Sequence, residues 1–355
     1  MLLGGAQWID DLAIATKAIL RRREVDHGSQ LLRLALAYGL PGQSCRTTAV
    51  WGDAAMEVDL SGPGLFGRLK TAGDFLAGIA GRLMAKTRSA DLAAVQWDGP
   101  PIRLVDGSMF TAHGGKGAQH RLHAAYDPMR GMFTSFELTS DKTGENLTRA
   151  DIEKGTIVVG DRNYAKTWAC RDLTEREAFY CVRTGVYSTR MLVPETGGRL
   201  SCAAIVAKLG TGDAAEMPVL LVESKGRKQP PLAARLLIFR ASDACAKREK
   251  ARIERSKIQH GATPRSDTHI MAGVMVILTN LPQDLWPAER VKLLYQLRWQ
   301  IELAFKTLKS TFQMRHPPCK TAPMARVWIL ANLITALLAQ HLSSARQGAF
   351  SPTAR

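Results

Sequence analysis

The segment Leu293 to Lys309, LLYQLRWQIELAFKTLK, constrains the fold more than any other stretch of the chain. Wound as an α-helix at about 100° per residue, it places Tyr295, Arg298, Glu302 and Lys309 within roughly 60° of one another. Leu294, Leu297, Ile301, Ala304, Phe305 and Leu308 take the other side, the width of apolar face that a core-facing helix shows. The spacing therefore predicts one helix that packs on one face and presents a phenol, two cations and a carboxylate on the other. Such a stripe suits a carboxylate set among phosphate-binding groups. A plain surface ion pair between Arg298 and Glu302, four residues apart, is the alternative.

The length of 355 residues allows two or three domains, each with its own core, and 46% hydrophobic content argues against disorder. Lys and Arg exceed Asp and Glu by 48 to 32, a net charge of +16, which favours a polyanionic partner, nucleic acid first. The six cysteines, Cys45, Cys170, Cys181, Cys202, Cys245 and Cys319, form no C-x-x-C and have no histidine at ligand spacing. They signal neither zinc nor a disulfide framework and fit a reducing cytoplasm. The N-terminus places its cationic cluster after its apolar part, the reverse of a secretory signal. The longest apolar run, Val327 to Ala339, is about 13 residues long and contains Asn332 and Thr335, so it reads as a buried helix and no membrane partner is expected.

Residues 1–93 read as helical and basic, with Arg21, Arg22, Arg23, Arg33, Arg46, Arg68, Lys70, Arg82 and Lys86. A small helical DNA-binding module and an N-terminal brace for a catalytic domain both fit. From about residue 94 the pattern changes. PPIRLVDGSMF, HRLHAAYD and GMFTSFELTS read as strands, TRADIEKG as a short helix and TIVVGD as a buried strand. Three strands, a helix and a fourth strand are the opening of a ribonuclease H-like α/β fold. Between Asp161 and Glu302 lie MPVLLVE, RLLIFR and HIMAGVMVILT, all β-type, together with the charged helix or arm AKREKARIERSK. A stretch of that length is better read as an inserted β subdomain than as a loop. The expected organisation is a helical DNA-binding region (1–93), the first part of the core (94–170), a β-rich insertion (171–284), the second part of the core with the Leu293–Lys309 helix (285–345) and a tail (346–355).

Three carboxylates stand out: Asp106 in RLVDGS, Asp161 in VVGDRNY, and Glu302. Each aspartate taken singly is more often a turn former. If the fold holds, the three meet at one end of the sheet and could bind two divalent cations, for which hard oxygen ligands suit Mg²⁺, with Mn²⁺ able to substitute. A cation pair about 3.5 to 4 Å apart can activate water or a 3′-hydroxyl on one side of a phosphorus and stabilise the leaving oxygen on the other.

Tyr295-x2-Arg298-x3-Glu302-x6-Lys309 matches the Tyr-Arg-Glu-Lys signature of bacterial insertion-sequence DDE transposases, the insertion sequence four family. VDGS and GDRNY resemble that family's first and second catalytic segments, and the order Asp, Asp, long β insertion, Glu is its arrangement. The resemblance covers residues 95 to 345. It implies cut-and-paste transposition through hairpin ends, with Asp106, Asp161 and Glu302 as metal ligands. Tyr295, Arg298 and Lys309 would hold phosphates near the cleavage site, and Arg183, in FYCVRT, would be a further DNA contact. The implied partners are double-stranded DNA, as terminal inverted repeats and target, and a second copy of the chain in a dimeric synaptic complex. The implied location is the bacterial cytoplasm, at the nucleoid. A structure-selective nuclease and a catalytically inactive, transposase-derived DNA-binding regulator are the rival readings.

The chain departs from that family's pattern at three points. Asn163 stands where glycine is common, and asparagine tolerates a left-handed turn. IMAGVMVILT lacks the tryptophan on which some relatives stack a flipped base; Trp286 lies beyond that run and Trp299 within the signature helix. Only 53 residues follow Glu302, fewer than in many relatives, which suggests a shortened copy. Elsewhere, His120 and His123 lie three apart, on opposite faces of a strand, and are not expected to share a metal. Lys116 and Arg121 read as solvated loop charges that could approach target DNA. Lys247, Arg248, Lys250, Arg252, Arg255 and Lys257 form a basic arm that either touches phosphates or pairs internally with Glu249 and Glu254.

Overall fold

The structure is a computed structural model that describes residues 3–89, 99–111, 120–185, 189–223, 229–260, 268–311, 314 and 317–349, with side chains at all of these but 87–89, 256–260 and 343–349. The elements, in chain order, begin with helices α1 (Ala6–Ala15), α2 (Gly28–Gly39), α3 (Cys45–Met56), α4 (Gly62–Lys70) and α5 (Gly73–Ser89). Strands β1 (Ile102–Phe110), β2 (His120–Asp127), β3 (Met132–Ser140) and β4 (Ile157–Gly160) follow, then α6 (Thr167–Glu175), β5 (Phe179–Arg183), β6 (Arg190–Leu192), α7 (Cys202–Val206), β7 (Ala214–Val222) and β8 (Leu232–Arg240). The chain continues through α8 (Asp243–His260), β9 (Val274–Thr279), α9 (Ala288–Gln296), α10 (Trp299–Thr311) and α11 (Ala322–Ala349). The architecture is mixed α/β, with N-terminal helices and a nine-stranded sheet in the order β3-β2-β1-β4-β5-β9-β8-β7-β6. Two compact units make up the chain.

The first unit comprises residues Met1–Asp98, Gly107–Gly144 and Gln300–Arg355. Its centre is α11. Met324, Ala325, Val327, Trp328, Ile329, Leu330, Ala331, Leu333, Ile334 and Leu337 are all buried, against α2 and α5. By length and composition Ala322–Leu342 could cross a membrane, but most of it is buried inside the protein, as the apolar run predicted. Asn332 donates Nδ2 to the Gly39 carbonyl at 3.0 Å. A Cβ on Gly39 would stand 3.1 Å from that of Ala331, so glycine sets the closeness of the two helices. Arg326 pairs with Asp74 at 2.8 Å. The N-terminal helices α2, α4 and α5 thus pack on α11 within this unit. The hairpin β2–β3, antiparallel with an irregularity at Ala125/Tyr126, holds α10 through Phe133, whose ring lies 5.6 Å from Phe305.

The second unit comprises residues Gly99–Asp106 and Glu145–Trp299. β1 pairs in parallel with β4, and β4 with β5. All four residues of β4 are buried, the pattern of a strand covered on both faces. The strands of the expected insertion form no sheet of their own. β9 pairs antiparallel to β5, β8 to β9, β7 to β8 and β6 to β7, so the sheet simply continues. Strand edges left open at β5 are satisfied by this extension, which is why the insertion joins the core. TRADIEKG is not an α-helix. Only a 3-10 turn, Leu147–Arg149, forms, capped by Asn146 through Thr148 N at 3.0 Å. AKREKARIERSK does form a helix, within α8, and Arg252 pairs with Glu249 at 2.7 Å. Lys116 and most of the expected tail lie outside the described residues.

Candidate active site

The site is set up by strand register. Leu104 of β1 is level with Val159 of β4, which is level with Cys181 of β5. Two residues further along each of these parallel strands come Asp106, Asp161 and Arg183. They stand in a row at one level, and because side chains alternate with a period of two, all three share a face. Neighbouring strands are about 4.8 Å apart, so two carboxylates and a guanidinium become adjacent that are up to 77 residues apart in sequence. All three side chains are half-buried.

The GDRNY motif explains how the second aspartate is held. Asp161 caps a 3-10 turn, Arg162–Tyr164, its carboxylate accepting from the Arg162 amide. The turn folds back on the strand because position 160 is glycine. A Cβ there would stand 2.8 Å from Tyr164 Cβ and 3.0 Å from Leu147 Cδ2. Tyr164 is buried and serves packing. Asn163 is not among the residues with positive φ, so the left-handed conformation expected from its replacement of glycine is not needed. Its Nδ2 donates to Glu145 Oε2 at 3.3 Å instead.

Helix α9 covers this face of the sheet. The Cys181 thiol lies 4.0 Å from the Val291 carbonyl, and Tyr295, one turn on, is buried. Burial raises the Tyr295 phenol above its ordinary range, while the charges of Arg298 and Arg183 draw it down and those of Asp161 and Cys181 push it up. Those same neighbours locate the phenol among the groups of the row. Arg298 places its guanidinium carbon 6.0 Å from the centre of the Tyr295 ring.

The single helix expected from Leu293 to Lys309 is not formed. Leu297 N bonds to Leu294 O and Arg298 N to Tyr295 O, both at 3.1 Å. These i to i−3 bonds tighten the turn, so α9 ends at Gln296 and α10 starts at Trp299. The 100° wheel therefore holds within each helix but not across the break. Leu294, Ile301, Phe305 and Leu308 are buried as expected. Tyr295 and Arg298 belong to the second unit, with Asp106, Asp161 and Arg183. Glu302 and Lys309 belong to the first. Glu302 is exposed on the first turn of α10. Lys309 donates Nζ to the Met109 carbonyl at 3.0 Å and lies 4.7 Å from the centre of the Phe110 ring.

Beside Asp161 opens a cavity of about 1060 Å³. Its charged lining consists of five cations, Arg162, Arg183, Arg240, Arg252 and Lys292, against two carboxylates, Asp161 and Glu249, with Phe239, Ile253, Met271 and Met275 as apolar wall. The excess of cations suits a polyanion. Lys292 lies three residues before Tyr295, 5.1 Å from the centre of the Phe239 ring, and helical spacing alone could have found it. Arg240 and Phe239 close β8 and carry no sequence signal. Among the described residues no group of three or more His, Cys, Asp or Glu side chains stands ready to hold a metal. The pair Asp106 and Asp161 offers hard oxygen donors only, which fits Mg²⁺ or Mn²⁺ and not a soft ion. His120 and His123 serve the fold: His123 is buried, 2.9 Å from Thr139 Oγ1, and burial lowers the His120 pKa. Arg121 donates to the Thr143 carbonyl at 2.8 Å.

Known proteins give this geometry a context. The profile of the family described as transposase DDE domain matches residues 97–338. InsL of insertion sequence element IS186A, from Escherichia coli strain K12, is 36% identical over 338 residues, 95% of this chain and 90% of that one. The transposase for insertion sequence element IS421, from Escherichia coli, is 35% identical over 339 residues, with the same coverage. Among solved structures, the piggyBac transposase synaptic complex with hairpin DNA aligns at a TM-score of 0.47 and 6% identity over 98% of this chain and 74% of that one, too distant to bear on function. The chain belongs to the DDE transposase family and is a transposase of insertion sequence elements of the IS186 and IS421 type.

Proposed function

We propose that this transposase cuts and joins the ends of its own element by metal-dependent phosphodiester hydrolysis and transesterification, in a cut-and-paste route through hairpin ends. The observation that carries the reading is the row Asp106, Asp161, Arg183, level with one another across three adjacent parallel strands, with Tyr295 and Arg298 beside it. That row supports a ribonuclease H-like core. Asp106 and Asp161 would hold the divalent cations, and Glu302, by its place in the Tyr-Arg-Glu-Lys signature, would be the third ligand. When bound, Mg²⁺ supplies Lewis-acid stabilisation of charge at phosphorus and lowers the pKa of the attacking hydroxyl.

The protein's own groups do the remainder. Arg183 and Arg298 carry fixed positive charge and bind non-bridging phosphate oxygens, with donors preorganised in a half-buried site. The Tyr295 phenol, kept neutral by burial, donates a hydrogen bond to a phosphate oxygen and does not act as a base at neutral pH. Lys309 binds phosphate from the end of β1. The cation-lined cavity beside Asp161 takes the strand that continues from the scissile bond. The substrates are the terminal inverted repeats and target DNA, bound by a dimer at the nucleoid of a bacterial cytoplasm.

The test is cleavage of a labelled duplex carrying the element's terminal repeat, with Mg²⁺ or EDTA, comparing wild type with Asp161→Asn and Glu302→Ala. Nicks at the repeat boundary followed by hairpins, dependent on metal and on both carboxylates, are expected. Tight binding without a cut in Mg²⁺ or Mn²⁺ would favour a DNA-binding regulator, and nicks without strand transfer would favour a nuclease.

A further inference from the structure

The loop that joins β9 to α9 belongs to neither, yet side chains fix it at both ends. Thr279, the last residue of β9, donates Oγ1 to the Tyr180 carbonyl of β5 at 2.6 Å. Asn280 accepts from the Tyr180 amide at 2.8 Å and donates Nδ2 to the Ala178 carbonyl at 3.0 Å. The exit from the sheet is thereby pinned to β5. At the far end of the loop Trp286 is buried, its amide donates to the Pro282 carbonyl at 2.9 Å, and Arg290 of α9 lies over its ring at 4.3 Å.

Arg235 joins the two ends. It stands on β8 level with Thr279 of β9, within the run RLLIFR whose β pattern gives no hint of a special role. Its side chain is 15% exposed. Nη1 donates to the Leu281 carbonyl and Nη2 to the Trp286 carbonyl at 3.1 Å, while Nε at 2.9 Å and Nη2 at 2.6 Å both donate to Glu216 Oε1. Four of the five guanidinium donors are thus held by the protein itself, and Arg235 is not among the residues that line the cavity beside Asp161. The carboxylate offsets the buried charge, and the two carbonyls fix the loop. A planar fork makes these bonds together, and an ammonium group does not.

The consequence falls on α9, which starts two residues after Trp286. Tyr295 lies about 10 Å along that helix, so a tilt of about 6° at its start displaces the phenol by about 1 Å. We propose that Arg235 is a positioning residue for phosphodiester cleavage: by holding both ends of the loop 281–286 it sets the tilt of α9, and with it the places of Tyr295 and Arg298 beside Asp161 and Arg183. The assignment rests on the reading that Tyr295 and Arg298 hold phosphate there.

Cys181 reports the tilt without any reaction. Its thiol lies under α9, 4.0 Å from the Val291 carbonyl. Cys170 of α6 instead neighbours Tyr180, which strand alternation puts on the opposite face of β5. In the full-length protein, Arg235→Lys keeps a charge for Glu216 but loses the fork, and Glu216→Gln keeps the fork and an oxygen to accept from it. Thiol labelling resolved by peptide mass spectrometry is read beside single-turnover cleavage of the terminal-repeat duplex in Mg²⁺ at saturating protein. For Arg235→Lys, labelling of Cys181 should accelerate about tenfold or more, the opening that one lost hydrogen bond to a charged group allows. Labelling of Cys170 and duplex affinity in EDTA should stay as in wild type, and cleavage should fall about 10-fold to 100-fold. Glu216→Gln should remain close to wild type in every readout. Equal acceleration at Cys170 and Cys181 would mean general loosening and overturn the assignment, as would unchanged Cys181 labelling, cleavage at the wild-type rate, or an equal loss in Glu216→Gln. A wild type that does not cut in Mg²⁺, with the Cys181 effect present, would overturn the cleavage reading and leave Arg235 as the clamp of α9.

Discussion

Gly160→Ala isolates how the second aspartate is positioned. The added methyl would stand 2.8 Å from Tyr164 Cβ, 3.0 Å from Leu147 Cδ2 and 3.1 Å from Tyr164 Cγ. Carbon atoms in contact prefer about 3.5 to 4.0 Å, so the turn Arg162–Tyr164 has to retreat by about half an ångström or more. Tyr164 is only 2% exposed and Leu147 fully buried, so neither can swing into solvent. Overpacking of this kind costs about 1 to 3 kcal/mol. Because the retreating turn is capped by Asp161, the carboxylate moves with it, and a misplacement approaching 1 Å can cost about 100-fold in rate. Urea denaturation would read the stability and cleavage of the terminal-repeat duplex in Mg²⁺ the rate. Gly67→Ala is the internal control: it lies within α4 with nothing within 4 Å of the new methyl, and should be neutral or stabilise by about 0.5 to 1 kcal/mol through the helix propensity of alanine. A Gly160→Ala protein as stable as wild type, cutting within threefold of its rate, would refute the steric account of the motif.

Phe305→Ala removes the ring that anchors α10 on Phe133 and should cost about 3 to 5 kcal/mol, seen as an earlier unfolding midpoint; a loss under 1 kcal/mol would mean that α10 is held by other contacts. Asp10 is pushed up by burial, but the hydrogen bonds from His27 and Gly28 and the charges of His27 and Arg22 outweigh this and hold its pKa below the usual carboxylate value. Its folded pKa is depressed, so its contribution to stability is present above the unfolded value near pH 4 and is lost as pH falls through the folded value. Asp10→Asn should therefore reduce stability at pH 7 and leave it nearly unchanged below that range, and a pH-independent difference would exclude the linkage. Burial pushes the Cys170 thiol up to about 12 and that of Cys202 up to about 11, and raises Cys181 and Cys319. Only Cys45 and Cys245 are partly exposed, and burial raises the Cys45 thiol too, so a thiol reagent should label Cys245 first and Cys45 more slowly in the native protein, and the other four only on unfolding. Rapid labelling of Cys181 would show that α9 lifts from the sheet.

Local chemistry was legible in the sequence wherever a single element decides the outcome. Short runs with apolar residues, bounded by Pro, Gly and Asp, mark β1 to β4, helical spacing marks the basic N-terminal helices, and the apolar run after Val327 marks the buried α11. The residue types of the site were legible too, because carboxylates and cations that follow strands are visible without a fold. Long-range pairing decided the rest. No local signal makes β9 pair with β5 and so continue the sheet through the expected insertion, since an open strand edge is satisfied only by whichever strand reaches it in three dimensions. The turn at Leu297 and Arg298 contains neither Gly nor Pro, so the periodicity runs through it unbroken while the backbone does not. The sequence by itself determined which carboxylates and cations the chain can offer to a site. Only the tertiary structure decided that Asp106, Asp161 and Arg183 stand level on three parallel strands with Tyr295 over them, because register is a property of paired strands and not of any one of them.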